Sequence, residues 1–203
     1  ISSLHAGGGS MKIKYKIIGE DIIYTKLPKE ILNELKSWKK SCDKIKNHPL
    51  SELKLHNNRG TKTNNYQVSV PSLLVENSYW LAFVIRLCSM VTNEDHRQFF
   101  MRRWNGHFDN YDIWINYAYK NNSNPIHHHG GFFSGVIYLN NKKDETIFLK
   151  KNINFVGKKG DMIMFPSHLD HKVNEQKEEY ERVTFAFNID KYGHQPRLDG
   201  SGR

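Results

Sequence analysis

From residue 97 to residue 190 the chain is a succession of short segments rich in β-branched and aromatic residues: "RQFFMRRW", "YDIWINYAYK", "FFSGVIYL", "ETIFLKK", "DMIMFPS" and "RVTFAFNID". Turn-rich stretches, "NGHFDN", "NNSNP", "NNKKD" and "VGKKG", separate them. Many short strands in sequence must close on one another as a sandwich or barrel. The first half reads differently. "KIKYKII" and "IIYTKL" alternate as strands do. "LPKEILNELKSWKKSCDKI" sets Pro28 near a helix start and spaces Ile31, Leu35, Trp38, Cys42 and Ile45 as one helical face. Residues 47–65 are loop-rich, and "YQVSV" is a brief strand ended by Pro71. "NSYWLAFVIRLCSMV" is a second helix, apolar nearly all round, which predicts that it packs on a sheet. There is no internal repeat. Helices first and strands after predict a mainly β protein with helices (α+β): a jelly roll braced by two or more N-terminal helices on one sheet.

At 203 residues the chain is long enough for one domain with a substantial core, read here as residues 11–191. "ISSLHAGGGS" (1–10) reads as a cloning remnant, and residues 192–203 as a tail, flexible or appended. Apolar residues at 38% and aromatics at 12% exclude a disordered chain. No stretch approaches the roughly 20 apolar residues of a membrane span, and no signal peptide opens the chain. Cys42 and Cys88 lie inside apolar helical patterns and read as small buried hydrophobes, which fits a reduced, cytoplasmic setting. A net charge of +9 could mark a nucleic-acid partner. The basic runs "KSWKK", "NNKKDE" and "LKKNINFVGKK" carry little aromatic interleaving, so a solvated surface is favoured and nucleic acid is kept as a lesser alternative. The sequence carries no signal of oligomeric state.

Three features in the strand half belong together. In "NPIHHHGGFFSGVIYL" (124–139) three histidines precede a strand, with Gly130-Gly131 breaking the chain between them. Period-two alternation lets His127 and His129 point to one side while His128 points to the other. In "GDMIMFPSHLDHKV" a Gly-Asp turn leads a strand to Pro166 and then His171. In "ERVTFAFN" one face carries Arg182, Thr184, Ala186 and Asn188, the other Val183, Phe185 and Phe187. An arginine beside small and polar residues on a strand reads as a cavity lining, because arginine is almost never fully buried unpaired.

In this order, H-x-H, then FPS-x-L-x-H-x-V, then R-V-x-F-A-F-N, the chain resembles the iron(II)- and 2-oxoglutarate-dependent oxygenases over roughly residues 111–190. It is most similar to a branch common in marine phages and bacteria whose first motif is NP-x-H-x-H-x-G-x-x-S. The resemblance implies a double-stranded β-helix, Fe(2+) as metal and 2-oxoglutarate as cosubstrate. It implies His127 and His171 as iron ligands. Arg182 follows His171 by 182 − 171 = 11 residues, and the resemblance makes it the partner of the far 2-oxoglutarate carboxylate. A guanidinium offers such a carboxylate two parallel donors. Asn116 resembles the residue that other members place on an adjacent strand to hold the cosubstrate, with Thr184 and Asn188 as further lining.

One departure stands out. The superfamily motif is H-x-D/E, two histidines and a carboxylate; here the third position is His129. Either three histidines hold the metal, or water or chloride fills the carboxylate's place as in halogenating members. The branch that itself writes H-x-H favours three histidines. Asp170 points the wrong way if His171 points inward.

The resemblance further implies hydroxylation with release of succinate and CO2, and a host-cytoplasmic setting if the gene is a phage's. The substrate is not written in the sequence: a peptidyl side chain is favoured, then a small molecule or a nucleobase. The competing class is a non-catalytic, cupin-like module that binds metal or ligand, against which Arg182 argues. Helices and residues 47–65 are expected near the substrate mouth, along with Arg102, Arg103 and Trp104. His128 and His168 are placed outside the site, Trp80 and Phe83 in the core, and Trp114 in either core or cavity wall.

Overall fold

The computed structural model describes residues 12–47, 66–105, 109–140 and 144–195; of residues 103–105, 109, 110 and 144 it describes the backbone alone. The expectations for residues 1–10, for 48–65, for most of the tail, and for the side chains of Arg103 and Trp104 therefore lie outside the described residues.

The first strands form where the alternation predicts them, β1 (Tyr15–Ile18) and β2 (Ile22–Lys26), paired antiparallel. The helix α1 (Lys29–Lys46) buries Ile31, Leu35, Trp38 and Cys42, with Glu30 in its first turn and Lys44 and Lys46 in its last, signs that suit the helix dipole. After β3 (Tyr66–Ser69) come a single turn, α2 (Ser72–Val75), which the sequence did not announce, and α3 (Tyr79–Thr92). The Ser78 side chain caps α3 by accepting from the Leu81 N–H at 3.1 Å. Glu34 of α1 accepts from the Tyr79 and Trp80 N–H groups at 3.2 and 2.8 Å, so a carboxylate of one helix completes the N-terminus of the other.

"RQFFMRRW" does not form the single expected strand. It divides into a 3-10 turn (His96–Gln98), β4 (Phe99–Phe100) and the start of β5 (Arg103–Asn105). "YDIWINYAYK" divides at Asp112 into β6 (Asp109–Tyr111) and β7 (Ile113–Ala118). Then follow β8 (Asn124–His127), β9 (Phe133–Tyr138), β10 (Asp144–Phe148), β11 (Ile153–Gly157), β12 (Asp161–Pro166), β13 (His171–Val173) and β14 (Arg182–Lys191).

The large sheet runs β1-β2-β12-β9-β14-β7-β3, with β4 on the end of β14; the small sheet runs β11-β10-β13-β8. From β7 onward the chain passes back and forth between the two, which is the double-stranded β-helix. Its axis is β14, ten residues paired on both sides, to β7 from Arg182↔Ala118 and to β9 from Thr184↔Tyr138.

Alternation along these strands gives each face of the large sheet its own layer. Val183, Phe185 and Phe187 turn to the helices and join Trp38, Trp80, Phe83, Val84 and Leu87 in the larger core. Trp80 meets the Phe187 ring edge-on at 5.1 Å, and Trp38 meets Phe185 at 6.3 Å. Both cysteines are free and buried in this layer. The helices thus sit behind the large sheet as expected. On the other face a smaller core, Ile22, Tyr138, Phe148, Ile163, Phe165 and Leu169, fills one part of the space between the sheets. The rest of that space stays open as a cleft. Within the described residues no helix is long and apolar enough to cross a membrane.

Candidate metal centre

The three motif histidines converge. His127 closes β8, His171 opens β13, and the two stand opposite each other in the register of the small sheet. His129 lies two residues past the end of β8, its N–H donating to the Ser167 carbonyl at 2.8 Å. One ring nitrogen from each of the three falls within 4.8 Å of the others. Ring centroids are 4.3 Å apart for His127 and His171, 5.0 Å for His127 and His129, and 5.2 Å for His129 and His171.

The tautomers of two rings follow from their backbone partners. Nδ1 of His127 is 2.7 Å from the Pro125 carbonyl and Nδ1 of His171 is 2.9 Å from the Leu169 carbonyl. A carbonyl only accepts, so each Nδ1 carries the proton and each Nε2 keeps its lone pair. This is how metal-binding imidazoles are commonly oriented. The Asn124 amide lies 3.4 Å from Nε2 of His127 and can serve that lone pair. Burial pushes the His171 imidazole down to about 3, with the neighbouring His127 adding to the shift and the Leu169 carbonyl opposing it. Burial likewise lowers His127, against its bond to Pro125, and takes His129 well below its ordinary value, helped by His171 and His127. All three are neutral donors near pH 7, the form a transition metal needs. The donor set fits a divalent metal, and among the described residues it is the one such cluster.

Aromatic walls fix the rings. Phe165 meets His171 at 4.8 Å and Trp114 meets His129 at 5.8 Å between ring centroids. His128 turns away, as alternation predicts, and pairs with Asp170 at 3.1 Å; Lys150 reaches the other Asp170 oxygen at 3.1 Å. Asp170, next to His171 in sequence, is thereby held outside the metal cluster, and His168 is exposed.

The same cleft contains Arg182, Thr184 and Asn116. Arg182 is 8% exposed although it is charged. Asn116 has its orientation set by neighbours. Gln67 Nε2 and Trp114 Nε1 donate to its carbonyl oxygen at 2.8 and 3.1 Å, so its amide N–H₂ faces Thr184 and the cleft. No residue of α1 or α3 is among those lining the cleft; both helices pack on the other face of the large sheet. Arg102 reaches Asp190 at 3.3 Å and Asp112 at 3.8 Å. Asn188 shares the strand face of Arg182 but does not line the cleft. It is buried among Ser134 and Asp112 instead.

Sequence reasoning passed over Tyr138 and Thr146, whose hydroxyls meet at 2.6 Å in the cleft wall, and over Asn124 and Ser134. The alternation of "FSGVIY" could have found Ser134 and Tyr138, since it puts them on the side opposite Ile137. Thr146 carried no such signal. Trp114 belongs to the cavity wall.

A double-stranded β-helix with three convergent neutral imidazoles and a buried arginine in one cleft defines a class: jelly-roll proteins whose cleft could hold a metal ion. Comparison with known proteins narrows it. Residues 142–188, which include His171 and Arg182, match the family described as "Putative 2OG-Fe(II) oxygenase". The fold is similar to a Pseudomonas putida prolyl-4-hydroxylase (TM-score 0.59, 13% identity, 86% of this chain and 95% of that one). It is also similar to the viral collagen prolyl hydroxylase of Paramecium bursaria Chlorella virus-1 in its 2-oxoglutarate complex (TM-score 0.56, 12% identity, 84% and 96%). A third is HygX from Streptomyces hygroscopicus with nickel, 2-oxoglutarate and hygromycin B bound (TM-score 0.52, 11% identity, 90% and 91%). No curated protein matches the chain. The chain is thus similar to the 2OG-Fe(II) oxygenases over residues 142–188, and its fold is the one these solved oxygenases share.

Proposed function

We propose that His127, His129 and His171 hold ferrous iron, that Arg182 pairs with the far carboxylate of 2-oxoglutarate, and that the protein hydroxylates a peptidyl side chain. The observation that carries the reading is the convergence of three imidazole nitrogens within 4.8 Å, in the cleft that also contains Arg182. When bound, iron and 2-oxoglutarate supply oxidation of a C–H bond by dioxygen: one oxygen atom enters the product, the other enters succinate, and CO2 leaves. The chain's own share is placement. His127 and His171 present Nε2 because backbone carbonyls hold their Nδ1 protons. Arg182 offers a fork to a carboxylate, and Asn116, fixed by Gln67 and Trp114, adds an amide donor from the neighbouring strand. Trp114 and Phe165 keep water from the rings they pack against.

The cleft supports a substrate that is not a polyanion. Among its described lining residues Arg182 is the one Lys or Arg side chain, and it is committed here to the cosubstrate. This puts a peptide first and a small molecule second. The two prolyl hydroxylases of like fold agree with the first and HygX with the second.

The reading is tested anaerobically. Iron(II) and 2-oxoglutarate added to the metal-free protein should produce a weak visible charge-transfer band that His127→Ala or His171→Ala abolishes. A band untouched by either substitution would refute the site. Succinate release measured with peptide, metabolite and oligonucleotide pools should respond to peptides. Stimulation by oligonucleotides that collapses steeply with salt would refute the substrate ranking, since such a slope is the mark of phosphate contacts.

A further inference from the structure

Behind His129 lies a chain of buried polar side chains that takes no part in the cleft chemistry described so far. Ser134 Oγ is 2.8 Å from Ser167 Oγ and 2.6 Å from Asn188 Oδ1; Asn188 Nδ2 is 3.0 Å from Asp112 Oδ2. Exposure is 2% for Ser134, 0% for Ser167, 6% for Asn188 and 7% for Asp112, so none of these groups can fall back on bulk water.

The Asp112 carboxylate accepts from the Asn188 N–H₂, which turns the Asn188 carbonyl oxygen toward Ser134. The Ser134 hydroxyl is placed to donate to that oxygen or to Ser167 Oγ, so one hydroxyl links Asn188 to Ser167. Burial raises the Asp112 carboxyl from its ordinary value, while the Asn188 bond and the Arg102 charge pull it down and Asp190 pushes it up.

The far end of this chain is the metal centre. The Ser167 carbonyl accepts the His129 N–H at 2.8 Å, and the Ser167 N–H donates to the Phe132 carbonyl at 3.2 Å, so Ser167 grips the loop that carries His129 on both sides. The loop also fits closely. A Cβ on Gly131 would stand 3.1 Å from Ser167 Oγ, 3.3 Å from Asn188 Cβ and 3.0 Å from the Ile189 carbonyl oxygen.

From this geometry we infer that Asp112, Asn188, Ser134 and Ser167 are positioning residues for His129, the ligand that stands where the superfamily has a carboxylate. The inference rests on the three-histidine reading and deepens it. His129 sits on a loop and not in a strand ladder, so its place depends on what the loop is tied to. The chain of hydrogen bonds ties it to the central strand β14 through Asn188.

The test is a double-mutant cycle read by metal affinity, without turnover. Cobalt(II) is titrated into metal-free full-length protein without 2-oxoglutarate, following its visible absorption, for wild type, Ser134→Ala, His129→Ala and the double variant. Ser134→Ala removes one hydroxyl and leaves every metal ligand in place. It should weaken cobalt binding about tenfold or more, the size found when outer partners of metal ligands are removed. In the His129→Ala background the same substitution should change nothing. Asn188→Ala, one link further along, should follow the same pattern and guards against a local effect at Ser134. A general weakening of the fold would lower affinity equally in both backgrounds, which would overturn the inference. So would wild-type affinity in Ser134→Ala and Asn188→Ala. If His129→Ala itself binds cobalt as wild type does, the three-histidine reading falls first and the inference with it.

Discussion

Removing the metal should leave a protein whose stability drops between pH 7.5 and 5, with His171 contributing a share that can be worked out. Its imidazole is 4% exposed and pushed down to about 3, against an ordinary value of 6.5. In the unfolded chain the ring takes up a proton below about pH 6.5; in the folded metal-free protein it does not until about pH 3. A folded value below the unfolded one means that the unfolded state binds more protons across this interval, so stability rises with pH and falls toward acid. One such ring contributes a slope of about 1.4 kcal/mol per pH unit, roughly 2 kcal/mol lost by pH 5. His127 and His129 are lowered too and act with the same sign, so the total for the cluster is larger. The carboxylates Asp170 and Glu181 are lowered, and their contribution is lost only as pH falls below the usual carboxylate range, outside this window. Urea denaturation of chelator-treated protein, compared with His171→Asn, measures the difference. Asparagine can keep a donor to the Leu169 carbonyl but cannot titrate. Wild type should lose about 2 kcal/mol more than the variant between pH 7.5 and 5. Equal losses in the two proteins would refute the argument that His171 is held neutral by burial.

Arg182→Ala should weaken 2-oxoglutarate binding by about 2–5 kcal/mol, the range for truncating one partner of a buried, hydrogen-bonded charge pair, and Arg182→Lys should restore only part because a point charge cannot reproduce the fork. Titration of the visible band checks both, and wild-type affinity in Arg182→Ala would remove the reason for placing the cosubstrate there. Gly135→Ala sets a methyl 2.2 Å from Phe187 Cζ and 2.9 Å from the Ile163 carbonyl oxygen, in the middle of the large sheet. Overpacking of this kind costs about 1–3 kcal/mol, and thermal unfolding should come several degrees lower. A midpoint equal to that of wild type would mean that the sheet opens there at no cost.

The large sheet and the helices were legible because their residues carry long signals. Ile31, Leu35, Trp38 and Cys42 repeat at helical spacing, and "RVTFAFNID" alternates for nine residues between a helix-facing and a cleft-facing set. The motif histidines and Arg182 were legible for a different reason: their chemistry is unusual at the positions they hold. Of the small sheet only β10, within "ETIFLKK", was legible. β8, β11 and β13 are three to five residues long, and their stretches are rich in Asn, Lys and Pro. They exist because β10 and β13 offer them ladder partners, which only closure of the roll supplies. Asn188 shows the same limit from within a correctly read strand. Period two fixes which face a residue is on, and Asn188 does share the face of Arg182 and Thr184. Whether that face is open cleft or closed interior at a given height depends on what comes across from the other strands. Opposite Thr184 there is space; opposite Asn188 there are Ser134 and Asp112. The sequence by itself thus determined the long helices and strands, the faces of those strands and the donor atoms they carry. The tertiary structure decided which of those faces meet and which are left apart, because that depends on contacts between residues far apart in the chain.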